Sequence, residues 1–373
     1  MQDIRLGIIG LGIMGHTHAT TVASGKIRGL ALAAVCDSDP TRRARWPQVP
    51  GFATVPEMLG SGQVDAVLIA TPHYFHPEQG IAALEAGLHV LVEKPVAVHT
   101  AEAARLIAAH QGRARLVFAA MFNQRTAACY RRLRTLVQSG ELGELRRVSW
   151  TITNWFRTAA YYASGSWRAT WAGEGGGVLL NQCPHNLDLL QWIAGQPCRV
   201  RAHCHFGKSH AIEVEDEVTA YLEFPNGATG VFVTSTGEAP GTNRLELAGE
   251  LGRVVCENEQ LSFLRNAVPM GEFSRTATDG FAQPPVAPVT LDLPPPGGQH
   301  AEILQNFADA IRTGAPLIAP AAEGIHSVQL ANAMLLSTWL DRTIELPIDA
   351  QLYARLLAEK AAETKSKRSG FNH

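Results

Sequence analysis

The stretch Ile4-Arg5-Leu6-Gly7-Ile8-Ile9-Gly10-Leu11-Gly12-Ile13-Met14-Gly15 decides the fold. Its first half is a short apolar run of strand type, its second half is G-x-G-x-x-G, and a helix-compatible stretch over 16–24 follows. In that strand–turn–helix setting the three glycines have separate tasks. Gly10 permits the tight turn, Gly12 lets a pyrophosphate approach the backbone, and Gly15 lets helix and strand pack closely, while the helix N-terminus faces the anion. Gly10, Gly12, Ile13, Met14 and Gly15 are therefore expected to hold a dinucleotide. A second strand over 30–36 ends in Asp37, an acid placed to accept the ribose 2′-hydroxyl of NAD. The 2′-phosphate of NADP would meet that carboxylate as a like charge, although Ser38, Arg42 and Arg43 just behind it leave NADP possible.

The alternation continues outward from this unit. Strands are expected over 64–70, 89–92 and 116–120, with helices over 77–86 and 100–111. Strands alternating with helices give a doubly wound parallel sheet, a Rossmann arrangement, whose ligands lie at the carboxyl ends of the strands. Four polar or glycine clusters fall at those ends, over 10–15, 71–76, 93–95 and 123–125. They contribute Thr71, Pro72, His73 and His76, then Glu93 and Lys94, then Asn123 and Arg125. That coincidence is far more specific than the glycine motif by itself.

After about residue 145 the pattern changes. Strands are expected over 145–156, 199–206, 218–224, 228–236, 244–248 and 253–257, with Pro225-Asn226-Gly227 as a hairpin turn. Long strands joined by short turns predict a large, mostly antiparallel sheet with an open face, an α+β unit packed on the first. Residues 265–298 are rich in Pro and Gly and read as a long loop. Helices are expected over 301–313, 323–341 and 352–363, the first two returning to cover the nucleotide domain, with a frayed tail over 365–373. The domains are thus 1–122 for nucleotide, 123–350 for substrate and oligomerisation, and 351–373 for a terminal helix and tail.

A second stretch carries the chemistry: Gly175-Gly176-Gly177-Val178-Leu179-Leu180-Asn181-Gln182-Cys183-Pro184-His185-Asn186-Leu187-Asp188. On a helix Asn181, His185 and Asp188 stand at i, i+4 and i+7 and share one face. Burying them unpaired is costly, so the stripe is either a structural hydrogen-bond ladder or a catalytic surface. Pro184 should start or kink the helix beside His185. Amide dipoles at a helix start disfavour imidazolium and keep the ring neutral, as a base requires. Just before this stretch lie Trp155, Arg157, Tyr161, Trp167 and Arg168, aromatic faces and guanidinium donors suited to a sugar ring. Arg125, Arg157 and Arg168 are together candidates for holding a phosphate or carboxylate.

Composition narrows the class. A net charge of -2 without a long basic run before the tail argues against nucleic acid. Six Cys without C-x-x-C spacing argue against a disulfide framework or a zinc knuckle, and no metal site is expected. No apolar run reaches membrane-span length and the N-terminus enters a strand almost at once, so a cytoplasmic enzyme is expected.

With these residues assembled, the chain resembles the Gfo/Idh/MocA oxidoreductases, named for glucose–fructose oxidoreductase, inositol dehydrogenase and a rhizopine-catabolism protein. The resemblance rests on Gly10-x-Gly12-x-x-Gly15, Thr71-Pro72, Glu93-Lys94-Pro95, and Gly176-Gly177 leading to His185-x-x-Asp188, with Asn306-Phe307-Ala308-Asp309 and Leu330-Ala331-Asn332-Ala333 beyond. It implies an NAD cofactor and a sugar, glycoside or cyclitol substrate oxidised or reduced at a hydroxyl or keto carbon. It also implies a homodimer or homotetramer formed through the open sheet face. Lys94 resembles the lysine that orients the reacting oxygen, His185 the acid/base, and Glu93 a residue holding the nicotinamide ribose. The position of Asn181 is an Asp in many members; Asn can orient a partner but cannot stabilise an imidazolium. Asp188, which in the family more often anchors the helix, is the alternative source of that carboxylate. Two further functions stay open: a glycoside-cleaving enzyme that uses tightly held NAD for transient oxidation and elimination, and a non-catalytic cofactor-binding regulator.

Overall fold

The computed structural model describes residues 2–165 and 167–370. Its first sheet has strands β1 (Ile4–Ile9), β2 (Leu30–Cys36), β3 (Gly51–Phe52), β4 (Ala66–Ile69), β5 (His89–Val92) and β6 (Phe118–Ala120). They run parallel in the order β3-β2-β1-β4-β5-β6. Every residue of β4 is buried, as helices on both faces of a parallel sheet require. Chain order reverses between β1 and β4, which opens a crevice at their carboxyl ends. The clusters over 10–15, 71–76, 93–95 and 123–125 follow β1, β4, β5 and β6, so four neighbouring strands deliver them to one edge.

The second sheet holds β7 (Leu145–Ile152), β8 (Arg199–Phe206), β9 (Glu215–Glu223), β10 (Thr229–Ser235) and β11 (Asn243–Gly249). It also holds β12 (Gly252–Glu257), β13 (Gln260–Asn266), β14 (Val286–Val289) and β15 (Ile344–Glu345). Their order is β14-β13-β12-β11-β7-β10-β9-β8-β15, antiparallel except where β10 runs parallel to β7. From Val218 to Leu222 burial alternates along β9, so one face packs and the other stays open. The turn at 225–227 forms as expected: Gly227 takes φ 83° and the Asn226 side chain accepts from the Ala228 amide at 3.1 Å.

Two helices tie the layers together. The helix Gln299–Thr313 buries Ile303, Leu304 and Phe307 in the core of the first sheet. The helix Gly324–Leu340 contributes Val328 to that core and Leu330 and Met334 to the core of the second sheet. Its buried Asn332 accepts from the Thr100 amide at 3.1 Å and donates to the Val98 carbonyl at 3.1 Å, fixing the chain just beyond Lys94. No described helix is long and apolar enough to cross a membrane.

Several elements differ from the sequence reading. The polar stripe is not one helix: the helix runs Pro184–Ala194, and Asn181 lies in the turns before it. Pro184 is the cause, since it lacks the amide that would continue a ladder backward and suits a first turn. The region 265–298 is not all loop; it contains the helix Met270–Thr276 and the edge strand β14. β7 ends at Ile152, four residues before the expected 156. The last helix runs Ala350–Gly370, beyond the expected end at 363, and residues 371–373 of the expected tail lie outside the described residues.

Candidate active site

The glycine loop has the shape its motif requires. Gly10 takes φ +89°, and a Cβ there would stand 2.7 Å from the Ala70 carbonyl oxygen. A Cβ on Gly15 would stand 1.7 Å from the Gly10 oxygen, whereas one on Gly12 would meet nothing within 4 Å. Gly12 thus leaves open space over the start of the helix Ile13–Ala23, whose first turn no side chain caps. The Asp37 carboxylate, at the end of β2, accepts from the Leu11 amide at 2.7 Å and from the Asp39 amide at 2.9 Å. Arg42 approaches its Oδ2 at 3.4 Å. An open cradle, an uncapped helix start and an acid tied to the loop fit a dinucleotide with a free ribose hydroxyl.

The next strand ends form the floor. After β4, Thr71 donates to Gln79 at 2.7 Å, and His73 donates through Nδ1 to the Glu174 carbonyl at 3.3 Å. Burial, with the charges of His76 and Lys94, holds His73 well below the ordinary imidazole range. His76 was expected to touch cofactor, but its ring nitrogens lie 2.8 Å from the Pro95 carbonyl and 2.7 Å from the Thr71 carbonyl. It staples two loops instead. After β5, Glu93 meets His18 at 2.6 Å and accepts from the Lys94 amide at 3.1 Å. Although burial opposes it, the His18 hydrogen bond and the charges of His18 and Lys94 hold this carboxyl at about 2. After β6, Asn123 donates to Gln299 at 2.7 Å, and its buried Oδ1 has no partner.

Above this floor stand Lys94 and His185. The Lys94 ammonium donates to the Asn181 carbonyl at 2.8 Å; burial lowers its proton affinity against the opposing charges of Glu93 and Glu174. His185, the second residue of its helix, is buried edge-on to Phe122 with ring centroids 6.1 Å apart. Its Nδ1 has no partner, and burial, then the Lys94 charge, lowers its pKa to about 3. The ring is neutral at physiological pH, as the sequence suggested, with burial rather than the helix dipole as the leading cause. The Asn181 amide donates to Glu174 Oε1 and accepts from the Tyr161 hydroxyl at 3.4 Å. Glu174 is 2% exposed and also accepts from the Ala169 amide at 2.6 Å. Burial raises its carboxyl pKa.

The aromatic–arginine group borders this centre. Tyr161 accepts from Arg168 at 3.0 Å and from Gln182 at 3.3 Å, and His73 packs edge-on to Trp167 at 5.9 Å. Trp155 donates to Asn186 at 3.3 Å. Arg125 and Asp188 do not join the group, contrary to expectation. Arg125 donates twice to Asp188, at 2.6 and 2.7 Å, and once to Glu323 at 2.5 Å, with both members of the first pair 1% exposed. A bidentate pair so buried leaves no donor for substrate and no carboxylate for His185.

Comparison with known proteins follows the same two-part division. The profile described as an oxidoreductase family with an NAD-binding Rossmann fold matches residues 4–121. The Gfo/Idh/MocA C-terminal domain profile matches residues 130–255. The chain belongs to the Gfo/Idh/MocA family. An inositol 2-dehydrogenase of Leifsonia xyli is 33% identical over 198 residues, 52% of this chain and 55% of that protein. The match therefore spans about half of that relative's length. A 1,5-anhydro-D-fructose reductase of Ensifer adhaerens is 26% identical over 89% of this chain and 95% of its own. Among solved structures, the WlbA dehydrogenase of Bordetella pertussis in complex with NADH and UDP-GlcNAcA superposes with a TM-score of 0.78. It is 25% identical and covers 93% of this chain and 100% of its own.

The sequence reading missed Glu174, the acceptor of the Asn181 amide. The signal was present as an acid directly before Gly175-Gly176-Gly177. It also missed Glu215, wholly buried, which accepts from the Gly177 amide at 2.8 Å and the Leu179 amide at 3.1 Å and so shapes the turns leading to Asn181. His18, the partner of Glu93, lies on the helix Ile13–Ala23, where the glycine motif gives no sign of it.

Proposed function

We propose that the protein is an NAD-dependent oxidoreductase that moves hydride between nicotinamide and a hydroxyl- or keto-bearing carbon of a sugar or cyclitol. The observation that carries it is the convergence of a buried ammonium, Lys94, and a buried neutral imidazole, His185, beside the glycine cradle. The names of the relatives, dehydrogenases and a reductase of cyclic polyols, support the same substrate class. NAD, when bound, supplies or accepts the hydride. Gly10, Gly12 and Gly15 would hold its pyrophosphate, Asp37 a ribose, and Glu93 and Asn123 its nicotinamide half.

The protein's own groups handle the oxygen and its proton. Lys94 donates to the substrate oxygen and stabilises the negative charge that grows there. His185 accepts the hydroxyl proton in oxidation and returns it in reduction, and its neutral ring is ready for the first of these. Asn181 positions Lys94 through its carbonyl, and Glu174 fixes the Asn181 amide. The Glu174 carboxylate thus does for Asn181 what an Asp there would do alone: it brings negative charge near Lys94. Replacing Glu174 removes the acceptor that orients Asn181.

The experiment is nicotinamide absorbance with purified protein, NAD and a panel of inositols, free sugars, glycosides, sugar acids and sugar phosphates. Reduced nicotinamide should accumulate with at least one of them, and His185→Ala should slow it by about 10²–10⁴-fold. Glycoside loss without net reduced nicotinamide would instead favour the redox-cycling cleavage enzyme. The cofactor reading has its own check. Asp37→Ser should weaken NAD binding about 10- to 100-fold, the worth of a charged hydrogen bond. With Arg42 beside the vacated carboxylate, NADP should bind more tightly than in the wild type. Unchanged Kd values for both by titration would show that Asp37 does not read the ribose.

A further inference from the structure

Arg157 and Arg168 gather around one ring. Their guanidinium carbons lie 5.0 and 4.7 Å from the Tyr161 centroid, and their outer neighbours are Trp155 at 5.5 Å and Trp167 at 4.7 Å. Arg168 donates to the Tyr161 hydroxyl; Arg157 donates to the Phe156 carbonyl at 2.9 Å, while its buried Nε has no partner. Some other half-buried arginines find carboxylates, as Arg131 does in Glu302 and Arg132 in Glu141, whereas Arg134 settles on the Trp192 carbonyl and ring. Among the described residues neither Arg157 nor Arg168 has one within ion-pair distance. Glu174 is near enough to act on Arg168 electrostatically, but its oxygens are committed to Asn181 and to the Ala169 amide.

Two half-desolvated guanidiniums without counter-charges are unfavourable, and aromatic faces offset only part of that. Their forks fit planar or tetrahedral oxyanions. They also stand beside the reacting centre. Tyr161 reaches Asn181 at 3.4 Å, and Asn181 carries the Lys94 ammonium at 2.8 Å. Glu174 thus acts on both Lys94 and Arg168, while Glu93 acts on Lys94 and is held by His18.

We infer that Arg157 and Arg168 form an anion subsite beside Lys94, so that the substrate is a sugar or cyclitol bearing a carboxylate or phosphoryl group rather than a neutral polyol. This rests on the redox reading of the same site. The guanidinium forks, held in place over Tyr161 and Trp167, would take the anionic substituent of a ring bound beside Lys94.

The test is calorimetric titration of the NAD-loaded protein with D-glucuronate, D-glucose 6-phosphate, D-glucose and myo-inositol, followed by nicotinamide absorbance with each. D-Glucuronate or D-glucose 6-phosphate should bind at least about tenfold more tightly than D-glucose, with affinity falling as salt rises. Preference for one probe tells carboxylate from phosphoryl. In Arg157→Gln and Arg168→Gln the ratio of anionic to neutral affinity should fall about tenfold, and Arg→Lys variants, which keep charge but lose the fork, should fall between. Equal affinity for all four probes, or a ratio that the Gln variants leave unchanged, overturns the subsite. Anion selectivity without reduced nicotinamide would leave the subsite standing and sink the redox reading. Turnover of myo-inositol without anion preference would do the reverse.

Discussion

Lys94→Met should leave a folded protein whose turnover falls about 10²–10³-fold, the loss seen when one preorganised donor to a developing oxyanion is removed. The same substitution should move a second observable in the opposite direction. His185 is held at about 3 by burial first and the Lys94 charge next. Deleting that charge leaves burial in place and removes the repulsion, so the imidazole should titrate at higher pH, toward the ordinary imidazole value of 6.5. NMR titration of the His185 ring in the wild type and the variant reads this directly. The stability consequence has a definite sign. The unfolded chain takes up a proton on this histidine as pH falls through about 6.5, while the folded chain does so only near 3. The residue's contribution is therefore intact above pH 6.5 and lost progressively between those values. The variant, with a higher folded value, should lose less stability over that window. A His185 that titrates identically in both proteins would mean that the Lys94 charge does not act on the imidazole. Turnover unchanged in Lys94→Met would remove the lysine from the chemistry.

What the sequence made legible here, and what it hid, follows the range of the interactions. The Rossmann half is written in local terms: a strand, three glycines with distinct steric duties, and an acid at the end of β2. The four strand-end clusters could be matched because the connections of a parallel sheet leave little freedom of topology. Lys94 and His185 drew notice for a similar reason, each beside a Pro and a strand or helix terminus. Several misreadings involve partners that side-chain pattern does not display, whether distant in sequence or on the backbone nearby. Arg125 was taken for a substrate contact because nothing within its own segment reveals that Asp188 lies opposite. His76 looked like a cofactor residue because the carbonyls of Thr71 and Pro95 leave no trace in side-chain pattern. Glu174 was passed over because its role depends on where Asn181 turns, and that turn is shaped by Glu215 from β9. The edge strand β14 was hidden by prolines, which an edge position tolerates because part of its backbone need not pair.

The polar stripe itself supplies the sharpest separation of structure from chemistry. Asp188→Ala should cost about 3–5 kcal/mol of stability, because Arg125 would be left buried with one partner instead of two. His185→Ala, three residues earlier, should cost far less, since its Nδ1 already lacks a partner and no buried charge is orphaned. Urea denaturation of the two variants should thus separate clearly, with Asp188→Ala unfolding at the lower concentration. Activity should separate the other way, with turnover per folded molecule largely kept in Asp188→Ala and lost in His185→Ala. The double variant Arg125→Met, Asp188→Leu removes both charges and should regain much of the lost stability, because an apolar pair of similar volume avoids the desolvation cost of the ion pair. The remaining deficit would measure what Glu323 and the Ile318 carbonyl lose when the guanidinium goes. If Asp188→Ala proved as stable as the wild type yet inactive, Asp188 would belong with His185 in the chemistry rather than with Arg125 in the fold.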